Sequence, residues 1–114
     1  MTELPAVVQV GPMRYSVVAD KAKCDAEAVD TGRRVMGYSD HSALEIAVKA
    51  GMARDQEADT VLHEVLHCCL RQSDGELGNE VEERVVGSLS PLLLDTLRRN
   101  PALVAYLTAE GEGA

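Results

Sequence analysis

Two of the chain's three histidines, His63 and His67, lie four residues apart in "TVLHEVLHCCL" (Thr60–Leu70), and Glu64 follows the first directly. On a helix, side chains four apart leave the same face one turn apart, so both imidazoles can be directed at one ion. Zinc accepts neutral imidazole nitrogens and prefers a tetrahedral shell. Glu64 is rotated off the ligand row. It can reach a metal-activated water, take its proton and return that proton to a leaving amine. H-E-x-x-H on a helix therefore reads as a zinc site with its own general base. The plain alternative is two histidines that share a helix face by coincidence.

A catalytic zinc takes three protein ligands and keeps one position open. In "NEVEERVVGSL" (Asn79–Leu89), Glu82, Val85, Val86 and Leu89 recur at i, i+3, i+4 and i+7, one helix face that is otherwise apolar. A carboxylate on a core-facing stripe is costly unless it is paired or holds a metal, which singles out Glu82. Glu80 and Glu83 fall away from that stripe and read as solvated charges. A helix rotated from this reading would offer Glu83 or Glu80 instead. His41, in the "DHS" turn, reads as an exposed turn residue rather than a ligand. Cys68 and Cys69 read as small core residues, and Cys24 has no partner legible in the sequence.

These side chains need elements to hold them. "AVVQV" (Ala6–Val10), the Gly11–Pro12 turn signal and "MRYSVVA" (Met13–Ala19) predict a hairpin. "DKAKCDAEAVDTG" (Asp20–Gly32) reads as a surface loop with at most one helical turn. "RRVMGYS" (Arg33–Ser39) and "ALEIAVKA" (Ala43–Ala50) are two more strands joined by "DHS" (Asp40–Ser42); Leu44, Ile46 and Val48 alternate with Glu45 and Ala47. Ala53–Gln72 reads as a helix with acidic residues early and Arg71 late. Its apolar stripes are Leu62, Leu66, Cys69 and Val61, Val65, Cys68. "SDGELG" (Ser73–Gly78) ends it, and Asn79–Leu89 is the next helix. Ser90–Pro91 and Asn100–Pro101 each look like a cap followed by proline at the first helical position, so two further short helices are expected before a frayed "EGEGA" tail. Strands segregated from helices predict one α+β domain: a short N-terminal antiparallel or mixed sheet of about four strands, then helices.

The 114 residues suffice for a single domain with its own core. A net charge of −8 argues against nucleic acid and against an anionic membrane surface as partner. Three cysteines, two of them adjacent, suggest no disulfide framework. The start lacks the pattern of a signal peptide, and the expected compartment is a reducing cytoplasm. Nothing in the sequence fixes the oligomeric state.

"HEVLH", a short break and "EERVVGSL" on the following helix resemble the gluzincin branch of zinc metallopeptidases. More narrowly they resemble its small single-domain forms, the ImmA/IrrE and minigluzincin types. The run from Thr60 to Leu107 is also similar to small zincin-like proteins of phages and prophages in actinobacteria. The resemblance implies a zincin-like fold with a twisted sheet over the active-site helix. It implies that His63 and His67 are zinc ligands, Glu64 the general base and Glu82 the glutamate ligand of the second helix. It further implies a peptide or protein substrate lying extended along an edge strand, for which "LEIAV" is the candidate. Tyr38, Tyr106 and His41 are the candidates for stabilising an oxyanion. The expected function is a zinc-dependent metallopeptidase that hydrolyses peptide bonds by metal-activated water. The alternative is a catalytically weak or inactive zincin-like zinc-binding interaction module of phage or prophage origin; a metal-free helical adaptor ranks third.

Overall fold

Short runs rich in Val and Ile form three strands and Gly37–Asp40 a fourth, and longer runs with helical spacing form four helices. The structure, a computed structural model, describes residues 3–31, 36–73 and 77–110. In chain order the elements are β1 (Val7–Val10), β2 (Met13–Ala19), α1 (Lys21–Thr31), β3 (Gly37–Asp40), β4 (Glu45–Val48), α2 (Arg54–Gln72), α3 (Asn79–Arg99) and α4 (Pro101–Thr108). The fold is α+β with a mixed sheet in the order β1-β2-β4-β3. β1 and β2 form the expected antiparallel hairpin, with Val8 opposite Tyr15. β3 and β4 are also antiparallel, whereas β2 and β4 run parallel. The 41–44 turn between β3 and β4 is held by the Asp40 carboxylate, which accepts from the backbone N–H groups of Ser42 and Ala43.

Segment 20–32 departs from the expected surface loop. Residues 21–31 form a helix, because parallel strands need a crossover rather than a tight turn. Asp20 caps it by accepting from the Lys23 N–H at 3.0 Å. Cys24, on this helix, is fully buried. The expected strand over 33–39 survives as β3 from Gly37; residues 32–35 lie outside the described ones.

Register puts Tyr15, Val17, Ile46 and Ser39 on one sheet face. There Val10, Tyr15, Val17, Ile46 and Val48 pack with Cys68, backed by Val61 and Val65 of α2. Each fully buried aliphatic side chain contributes about 1.5–3 kcal/mol. Ala47 points to the other face and is also buried. Thus β4 is covered on both sides, beyond the half-buried strand its alternation predicts. It is also interior to the sheet, so "LEIAV" is not an edge strand; β1 and β3 are the edges.

α2 and α3 pack antiparallel. Arg98 reaches Asp55 at 3.0 Å at one end, Ser90 donates to Asp59 at 2.8 Å in the middle, and His67 meets Glu82 at the other end. The expected break at Ser90–Pro91 does not occur; α3 runs continuously through Pro91. An interior proline costs about 3 kcal/mol. Ser90, buried against α2, is an inter-helix clasp rather than a cap, and a hydrogen bond to a carboxylate returns about 1.5–3 kcal/mol. Burial of Val86 adds to that and keeps the helix whole. Asn100–Pro101 does start a helix, with proline in its first turn. The tail beyond residue 110 lies outside the described residues. Among those described, no helix is long and apolar enough to cross a membrane.

Candidate metal centre

Asp59, His63 and His67 recur every fourth residue on α2, so they leave one face. α3 lies across that face. The two Nε2 atoms of His63 and His67 are 3.2 Å apart. The Glu83 carboxylate spans them, with Oε1 at 3.0 Å from His63 Nε2 and Oε2 at 2.8 Å from His67 Nε2. Among the described residues these three form the group whose ligand atoms all lie within 4.8 Å of one another.

Glu82, expected as the third ligand, sits on the other side of His67. Its Oε2 is 2.6 Å from Nδ1. Accepting from Nδ1–H leaves the Nε2 lone pair free for an ion, the role an outer carboxylate plays in zinc sites. The cause of the exchange is the rotation of α3. Val86 and Ser90 face inward, while Val85 and Leu89, assigned to the core stripe by periodicity, face outward. That rotation carries Glu83 to the paired nitrogens. Glu80 is turned away and pairs with Arg84 at 3.9 Å.

Burial works against a charge on His67. The hydrogen bond to Glu82 and the charges of Glu64 and Glu83 outweigh it, so its pKa lies above the ordinary 6.5. Glu64 is buried, 6% exposed. Burial pushes its pKa up, and a hydrogen bond from Ser39 Oγ to Oε1 at 2.7 Å offsets part of the rise. Ser39 lies on β3, 25 residues from Glu64, and no local sequence signal marks it. The Asp59–Ser90 clasp was legible in principle, since Asp59 shares the spacing of the two histidines.

A cleft of about 820 Å³ opens between β3, α2 and α3, lined by Gly37, Tyr38, Ser39, His41 and the histidine–glutamate group. His41 is half-buried rather than an exposed turn residue. Its Nδ1 lies 2.9 Å from the hydroxyl of Tyr15. Burial lifts the Tyr15 pKa to about 12, so that hydroxyl stays protonated. Burial, followed by the Arg71 charge, lowers the pKa of His41 and keeps it neutral. Tyr106 is on α4, 80% exposed and not part of the cleft wall. Cys68 is buried as expected, with its thiol pushed up by burial, whereas Cys69 is exposed.

Two imidazole nitrogens and a carboxylate facing one point, with the far nitrogen of one imidazole already engaged, fit a zinc ion's preference for nitrogen and oxygen donors. Comparison of the chain with protein-family models, with curated proteins and with solved structures found no significant match.

Proposed function

We propose that this chain is a zinc-dependent metallopeptidase in which His63, His67 and Glu83 hold the ion. The observation that carries the reading is the convergence of both Nε2 atoms and the Glu83 carboxylate beside the buried carboxylate of Glu64. Zinc, when bound, supplies Lewis acidity: it acidifies water and polarises a carbonyl. The chain supplies the rest. Glu64, with one oxygen fixed by Ser39 and a pKa raised by burial, accepts a proton from the attacking water and returns it to the leaving amine. Glu82 orients His67. Neutral His41, accepting from Tyr15 at Nδ1, carries its proton on Nε2 and offers a donor at the cleft wall for a developing oxyanion. The unpaired edge of β3, in the same cleft wall, takes an extended peptide by strand addition.

Elemental analysis tests the reading first. We expect about one zinc per wild-type chain, lost in His63→Ala and Glu83→Ala. Glu82→Ala should retain the site with affinity lowered about 10–100-fold. Glu64→Gln should keep the metal and abolish cleavage of a peptide library. Wild type that takes up no zinc when it is offered would remove the proposal. Zinc bound without cleavage of any peptide would leave a zinc-binding interaction module.

A further inference from the structure

α3 has two apolar sides, and among the described residues only one of them is buried against the rest of the chain. Val86 and Ser90 face α2. On the other side Val81, Val85, Leu89 and Leu92 follow at spacings of four, four and three residues, and they are 45%, 43%, 45% and 69% exposed. A helix face meant for water carries polar side chains at that spacing, and a continuous aliphatic row marks a contact surface.

The charges beside this row indicate what covers it. Along one flank α3 carries Glu80, Arg84, Asp95 and Arg99, in the order minus, plus, minus, plus. Within the helix they pair as Arg84–Glu80 and Arg99–Asp95. About the midpoint between Leu89 and Ser90 the order is antisymmetric: Glu80 and Arg99 are equidistant from it with opposite signs, as are Arg84 and Asp95. Two α3 helices laid antiparallel about a two-fold axis at that point set every flanking charge against an opposite one. A parallel pair about a two-fold along the helix axes sends the two charged flanks to opposite sides of the interface and forms none of these pairings. Antiparallel packing also opposes the helix dipoles.

We propose that the outer face of α3 is the interface of a homodimer, with α3 packed antiparallel on α3 of a second copy about a two-fold axis. Such an interface is isologous and closes on itself. The chain exposes 7849 Å². That is roughly 1,800 Å² more than the ~6,100 Å² of a compact monomer of its mass, and a standard interface draws about 800 Å² from each partner. Glu83 leaves the far side of α3 and Glu82 its flank, and both are turned toward His67 of α2, so pairing through the outer row leaves them on the cleft and does not depend on the peptidase reading.

Sedimentation velocity on the full chain, from about 1 to 100 μM, tests this across the range in which interfaces of ordinary size associate. Twice the chain mass of 12.2 kDa is expected. Val85→Glu and Leu89→Glu should raise the dissociation constant at least about tenfold while keeping the helical circular dichroism. A chain with all four charges reversed (Glu80→Arg, Arg84→Glu, Asp95→Arg, Arg99→Glu) keeps its pairs within the helix. It should dimerise with itself and fail to exchange with wild type, and it decides the matter if the Val85 and Leu89 variants do not fold. A monomer throughout the range, whatever else binds the face, overturns the proposal. So does a dimer indifferent to the Val85 and Leu89 variants, or free exchange between reversed and wild-type chains.

Discussion

At the scale of single residues, the site joins groups whose charges depend on one another. In the zinc-free chain His67 has its pKa raised by Glu82 and the neighbouring carboxylates, against the effect of burial. Its charged form therefore stabilises the fold fully below the ordinary value of 6.5, and that contribution is lost as pH rises through the raised value. Glu64 acts in the same direction: its raised pKa means that stability falls as pH climbs above 4.5. His41, whose pKa is lowered, acts the other way up to its ordinary value of 6.5, so thermal melts in the presence of a chelator should show a midpoint that falls from about pH 6.5 to pH 8. Glu82→Gln should flatten that slope. Zinc affinity should run the other way and rise with pH, because Nε2 must lose its proton to ligate. A zinc-free chain whose melting point rose over this interval would contradict the assignment of the Glu82–His67 pair.

At the scale of elements, the cleft exists because β3 lies close against α2. Gly37 permits that approach. A Cβ there would stand 2.6 Å from Thr60 Cγ2 and 3.0 Å from the backbone oxygen of Ala47, and neither atom is the end of a long flexible side chain. Gly37→Ala should therefore push β3 off α2, cost about 1–3 kcal/mol, and loosen the Ser39–Glu64 contact two residues along the strand. Chemical denaturation measures the first effect; peptidase activity falling further than zinc content would report the second. α1 and α3 show where reading by element succeeds and fails. The Ala, Lys and Glu content of Lys21–Thr31 and its Asp20 cap were helix signals, but a weakly amphipathic helix resembles a polar loop in sequence. For α3 the period was readable, whereas its direction was not: two apolar sides satisfy the same period, and Ser90–Pro91 imitates a helix start.

At the scale of the whole molecule, two bodies meet at the proposed metal centre. The sheet and α2 share the hydrophobic core, while α3 joins through Val86, the Ser90–Asp59 clasp, the Arg98–Asp55 pair and the histidine–glutamate group. The elongated outline, 51 × 35 × 25 Å, leaves α4 with no buried residue. An ion held by both α2 and α3 would cross-link them in the folded state alone. Zinc at a thousand times its dissociation constant would then add about 4 kcal/mol. Chelation should lower the melting temperature of wild type and leave that of His63→Ala unchanged. Equal melting curves with and without zinc would separate the histidine–glutamate group from metal binding.

The sequence alone determined the α+β class, the hairpin, the helix that carries both histidines and the placement of His63 and His67 on one face of it, because hydrophobic period and helical spacing are local properties of the chain. It also reduced the third carboxylate to neighbours on one helix. Only the tertiary structure set Glu83 against the two Nε2 atoms and Glu82 against Nδ1 of His67, because that placement depends on how α3 is rotated about its own axis. The rotation is set by what Val86 and Ser90 bury against α2, not by the pattern of α3 itself. The same holds for the sheet: β4 reads locally as a half-buried strand, the resemblance implied an edge, and its place between β2 and β3 follows from a parallel pairing that only the crossover through α1 makes possible.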